Sequence, residues 1–187
     1  MIRTSFICLL LAAGSTRALD LTPFVDEREL EGFRIPIVRF GDGKRRVSYR
    51  PPLKWRVTGS ETDLSLFPPN RTGCAVKFSV RPRPPGPGEG GDARGELKKW
   101  AQSLLPADVG EVALLGEKDS PFMMGKQASH EFIFAYEYRG ARFTRSVAVV
   151  DFSNKQRFMV VVDARPEDFE SIHKETITSM FSWEWDD

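Results

Sequence analysis

Histidine and cysteine are nearly missing from this sequence, with two of each in 187 residues. His130 and His173 are therefore the only imidazoles available for acid–base work, which leaves a thin supply of such groups. Cys8 and Cys74 form no C-x-x-C pair, so thiolate zinc sites and dithiol redox chemistry are excluded at the level of motif. There is no G-x-S-x-G elbow, no phosphate-binding P-loop and no calcium-binding EF-hand loop. No metal ligand set is expected. Charge of one sign is also lacking: 27 basic residues against 26 acidic ones argues against a dedicated nucleic-acid binder. What is there, 41% hydrophobic and 28% charged residues, is the balance of one globular domain.

Met1 to Ala18 reads as a secretory signal peptide. Arg3 supplies the positive start, Ser5 to Ala13 the short apolar run, and Thr16-Arg17-Ala18 a small-x-small cleavage site, placing the mature start at Leu19. Cleavage removes two of the 27 basic residues, Arg3 and Arg17, and no acid, so the mature chain carries a net charge of −1. No later apolar run approaches the roughly 18 residues that span a bilayer, so no transmembrane helix is expected after cleavage. Secretion or a periplasmic location follows. The mature chain keeps Cys74 alone, which cannot close an internal disulfide and sits in an apolar strand pattern as a small hydrophobe.

The last third of the chain organises the fold. Gln127 to Tyr138 places Phe132, Phe134, Tyr136 and Tyr138 at period two, so these aromatics share one face of a strand. Arg139-Gly140 makes a two-residue hairpin connection to a second strand, Ala141 to Asp151, with Phe143, Val147 and Val149 in phase. A third strand, Gln156 to Ala164, carries Phe158, Val160 and Val162 on one face and Met159 and Val161 on the other. Apolar on both faces, it belongs in the middle of a sheet covered on both sides. Pro166 then opens a helix with Glu167 and Asp168 at its positive end, and Phe169, Ile172, Thr176, Ile177 and Met180 form its apolar stripe.

Upstream, Phe33 to Phe40 and Arg45 to Tyr49 flank Gly41-Asp42-Gly43-Lys44 as a hairpin. Lys44, Arg45 and Arg46 at its tip read as a solvated surface. Pro51-Pro52 forces an extended entry to Trp55, Arg56 to Gly59 and Asp63 to Phe67 follow, and Ala75 to Val80 is a further strand pattern. Residues 81–95 are a Pro/Gly-rich loop. Within it Gly86-Pro87-Gly88-Glu89-Gly90-Gly91 spells the dinucleotide-binding pattern, but Pro87 removes a backbone N–H and Glu89 repels a pyrophosphate, so no cofactor is expected. Leu97, Trp100, Ala101 and Leu104 stripe a short helix ended by Pro106, Val109 to Leu115 suggests a strand, and Gly116 to Gly125 reads as a loop. Asn70-Arg71-Thr72 matches a glycosylation acceptor, meaningful only in a host with the machinery.

Candidate chemistry is sparse. His130-Glu131 begins like a zinc-protease motif, but Phe134 stands where the second His is required and the segment is a strand. Ser129, His130 and Glu131 remain the residues from which a hydrolase site without a known motif would be assembled, and a small-ligand carrier is a third possibility. No catalytic residue is assigned. Trp183 and Trp185 in the tail are candidate partner contacts, since Trp is enriched at interface hot spots, although terminal Trp residues more often pack back onto their own domain.

The order of elements resembles the PsbP-like fold superfamily. The resemblance rests on Pro51-Pro52-x-x-Trp55 ending a strand, a Leu/Trp helix, Gly125-x-x-Ala128 before a long strand, a hairpin, a Val-rich strand and a closing helix followed by Phe and Trp. That superfamily contains photosystem extrinsic proteins, bacterial envelope proteins of unknown role and a Ran-binding import factor. The resemblance covers roughly Phe33 to Trp183 and implies a central antiparallel sheet flanked by helices on both faces, within a single α+β domain expected over residues 19–187. The metal-binding positions of the photosystem members have no match. A non-enzymatic binding or accessory module of the cell envelope, with a protein partner, is the function these features suggest.

Overall fold

The structure, a computed structural model, describes residues 19–30, 32–41, 46–84, 92–151 and 156–186. The expected leader at 1–18, the hairpin tip at 42–45 and the glycines at 86–91 lie outside the described residues. Two antiparallel sheets and two helices make up one α+β domain that is mostly strand. The larger sheet has seven strands. These are β4 (Arg56–Gly59), β5 (Asp63–Phe67), β6 (Ala75–Pro82), β7 (Val112–Met124), β8 (Gln127–Tyr138), β9 (Ala141–Asp151) and β10 (Gln156–Ala164), in the spatial order β4-β5-β6-β10-β9-β8-β7. The smaller one runs β1-β2-β3-β11 and consists of β1 (Asp20–Leu30), β2 (Phe33–Gly41), β3 (Arg46–Tyr49) and β11 (Glu184–Asp186).

The three consecutive strands read from the C-terminal third form as the pattern dictates. Arg139 (φ 52°) and Gly140 (φ 72°) both take positive φ, the requirement of a type I′ hairpin turn, and set the register that pairs Tyr138 with Ala141. β10 lies between β6 and β9 in the larger sheet. Its two apolar faces are covered differently. On one side Phe132, Phe134, Val147 and Val149 meet Ala101, Leu97 and Trp100 of helix α1 (Ala93–Gln102). On the other, Ala148, Val150, Phe158, Val160 and Val162 meet Ile172 and Met180 of helix α2 (Pro166–Met180) together with Val38, Phe40, Val47 and Tyr49 of the smaller sheet.

The expectation of one central sheet with a helix on each face therefore holds for the larger sheet, and is corrected by a second sheet that shares the α2 side. β1, rich in charge and interrupted by Pro23, carries no strand alternation that a sequence can show; it is held by pairing with β2. Two further expectations fail. The segment 116–125 is not a loop: β7 runs unbroken from Val112 to Met124, its register shifting between Leu114 and Gly116 and between Asp119 and Met123. Those irregularities scramble the period-two pattern while Phe122 and Met124 are buried. Helix α1 stops at Gln102 rather than at Pro106, with Ser103 as its C-cap; Asp92 caps its start by accepting from the Gly95 N–H at 2.8 Å.

Candidate functional site

Ser129, His130 and Glu131 are consecutive on β8, so alternation sends His130 to the α1 side and its two neighbours to the α2 side. They do not converge. Ser129 Oγ is committed to Phe122, donating to its carbonyl at 2.5 Å and accepting from its N–H at 3.1 Å. His130 Nδ1 lies 2.9 Å from Asp119 Oδ1 in an exposed network that includes Arg94, Glu117 and Lys98. The hydrogen bond from His130, then that from Arg94, hold Asp119 below the usual carboxylate range.

Glu131 goes under α2. Its side chain is fully buried, with His173 Nε2 2.5 Å from Oε1 and Ser146 Oγ donating to the same oxygen, while Oε2 is buried without a partner. Burial opposes its charge, but the hydrogen bonds of His173 and Ser146 and the nearby charges of His173 and Lys118 hold its carboxyl below the ordinary range. His173 stacks on Phe169 with ring centroids 5.2 Å apart. The cluster unites β8, β9 and α2, and its carboxylate sits between the hydroxyl and the imidazole. A nucleophile relay needs serine bonded to histidine, and here both bond to glutamate instead. The sequence offered one weak signal for it: Glu131 shares its face of β8 with Ile133 and Ala135, opposite the aromatic stripe.

A second ion pair, partly buried and also unanticipated, lies on the α1 side. Arg145 pairs with Asp163 and donates Nη1 to the Leu104 carbonyl at 2.6 Å, and Tyr136 Oη donates to both Asp163 oxygens at 2.8 Å. Burial, then the bond and charge of Asp163, push the Tyr136 hydroxyl well above its ordinary pKa.

The tail packs back. Trp183 is 6% exposed, stacked on Phe40 with centroids 5.6 Å apart and 5.1 Å from the Phe158 ring, so it is a core residue rather than a surface anchor. Trp185, on β11, is partly buried and packs against the same core. Cys74 is partly buried, and burial pushes its thiol up. Asn70 is exposed on a turn with φ 57°.

Surface features point elsewhere. A groove of about 870 Å³ runs along the outer side of α2, between Glu167, Glu170 and Lys174 and the Pro52-Leu53 turn. Leu53 is 66% exposed there. A smaller notch of about 150 Å³ opens on the outer face of the four-stranded sheet, lined by Ile35 and Ile37 together with Arg28, Ser48 and Glu184. Arg50 lines both. Its backbone is fixed by Ser182, whose Oγ accepts from the Arg50 N–H at 2.8 Å and whose single hydroxyl proton lies between the Ser179 carbonyl at 2.6 Å and the Arg50 carbonyl at 3.2 Å. The guanidinium, half exposed, reaches Glu184 at 3.9 Å.

An α+β domain of two antiparallel sheets is the class that the fold defines. The chain is similar to the crystal structure of a Pseudomonas aeruginosa protein of unknown function, PA94, at 9% identity over 84% of this chain and 94% of that one, with a TM-score of 0.44. No family model and no curated protein matches the chain. No helix among the described residues is long and apolar enough to cross a membrane, and no group of three metal-binding side chains occurs among them.

Proposed function

We propose that this protein is a non-enzymatic binding module of the cell envelope or extracellular space, and that it engages another protein through the surface around Arg50. The observation that carries the proposal is that a single arginine, on a backbone pinned by Ser182, borders two adjacent surface depressions. Each depression combines apolar side chains with charged ones, the composition that gives a partner both an apolar contact and orientation. The candidate catalytic groups lend support from the other side, because Ser129 and Glu131 are taken up by internal bonds beneath α2 and His130 points away from both. The compartment follows from the leader read in residues 1–18, and the PsbP-like resemblance is compatible with an accessory role.

A photocrosslinking amino acid at position 53, in the native host, tests this. One protein should be captured from position 53, not from position 114 on β7, and lost with Arg50→Glu. Crosslinks equally strong from both positions would overturn the proposal, as would turnover of a substrate that disappears with His130→Ala. A carrier function has one observation in its favour, since about 870 Å³ lies within the volume range of small-molecule sites. It predicts thermal stabilisation by a small ligand that Leu53→Asp abolishes.

A further inference from the structure

Resting on the binding-module proposal, the charge and shape of the outer face of the four-stranded sheet allow a narrower statement: we infer that this face docks an acidic, extended segment of the partner. Cross-strand pairing puts Phe24 opposite Arg39, Asp26 opposite Ile37 and Arg28 opposite Ile35, so these residues share the face turned away from the core residues Val38, Phe40, Val47 and Tyr49. The face carries apolar and cationic groups together. Phe24 is 66% exposed, whereas a solvated sheet face normally presents polar side chains. Arg39 is neutralised by Asp26 at 2.9 Å, but Arg28 and Arg46 have no ion-pair partner among the described residues.

The notch between Arg28 and Arg50 fixes the chemistry of the occupant. Ile35 and Ile37 line it with apolar surface, Ser48 contributes a hydroxyl, and Arg28, Arg50 and Glu184 complete the lining. A side chain with apolar methylenes and a terminal carboxylate matches that order: methylenes on the isoleucines, oxygens to arginine. The protein already supplies a precedent, since Glu184 brings its own carboxylate to 3.9 Å from Arg50 at the notch. An incoming Glu or Asp would extend this arrangement to Arg28. In an extended segment every second side chain would face the sheet, so acidic residues alternating with apolar ones would all turn toward the arginines of this face.

The test uses the full chain and three fluorescent peptides of equal length, alternating Glu, Gln or Lys with Val, followed by anisotropy at low and physiological salt. Binding of the Glu peptide alone, weakened by salt and reduced about fivefold or more in both Arg28→Glu and Arg28→Gln with thermal stability unchanged, is expected. Equal affinity for the Gln peptide, or Glu-peptide binding indifferent to both Arg28 variants, would overturn it. So would Arg28-dependent binding to phosphatidylglycerol vesicles without peptide binding, which assigns the face to a lipid surface, or Arg28-dependent dimerisation, which assigns it to a second copy. Capture from position 53 that survives Arg28→Glu removes this inference and leaves the binding module standing. No protein captured from position 53 in the parent chain, with Glu-peptide binding present and dependent on Arg28, removes the reading of the surface around position 53 and leaves this inference standing.

Discussion

Glu131 Oε1 and His173 Nε2 lie 2.5 Å apart across the contact between β8 and α2. The pair joins residues 42 positions apart, so it fixes where along the sheet the closing helix sits. Glu131 also takes the Ser146 hydroxyl, which means that one carboxylate orients three elements.

Removing one member leaves a buried charge or donor without its counterpart. Glu131→Ala should therefore cost about 3 kcal/mol or more in urea unfolding. A double-mutant cycle with His173→Ala should show a coupling energy well above the 0.5 kcal/mol or so expected of independent sites. A coupling near zero would mean that the pair does not anchor α2.

The pH dependence has a definite sign. Glu131 has its carboxyl held down in the fold, so the stability it contributes is complete above the unfolded-chain carboxylate value of about 4.3 and is lost as pH falls through the lower folded value. Asp63 acts in the same direction: burial opposes its charge, but bonds from Ser79, Lys77, Thr62 and Arg81 outweigh that and hold it far below the ordinary range. Melting temperature should stay nearly flat from about pH 7 to about pH 5 and fall steeply below about pH 4. Glu131→Gln should make that acid limb shallower, and an unchanged slope would assign it to other carboxylates.

Arg145 joins β9 to Asp163 on β10 and to the Leu104 carbonyl beyond α1, with both members of the ion pair mostly buried. Arg145→Ala should cost about 3 kcal/mol. Lysine cannot reproduce the planar fork, so Arg145→Lys should recover only part of it. Hydrogen exchange of residues 103–108 should quicken in both variants, and protection equal to the parent there would show that Leu104 is held by apolar contacts alone.

Trp183→Ala should remove about 3 to 5 kcal/mol, because the ring fills space between Phe40, Tyr49 and Phe158 and leaves a cavity behind. Leu53→Ala, on the open groove, should change stability by less than about 0.5 kcal/mol. If the two variants unfolded at the same denaturant concentration, Trp183 would not be the core residue described.

The sequence by itself determined the elements whose periodicity is local. Period-two aromatics and valines specify β8, β9 and β10, Arg139-Gly140 sets their turn, and Pro166 with two following acids opens α2. Two-sided apolarity was enough to put β10 inside a sheet, because only a central strand can bury both of its faces. Tertiary structure decided the rest. β1 and the second half of β7 exist through pairing with β2 and β8, and their own side chains are charged or out of phase. The Glu131–His173 pair, the burial of Trp183 and the double exposure of Arg50 each depend on residues far apart in the chain meeting in space. Spacing along a sequence records which face a side chain takes, and only packing determines what that face will meet.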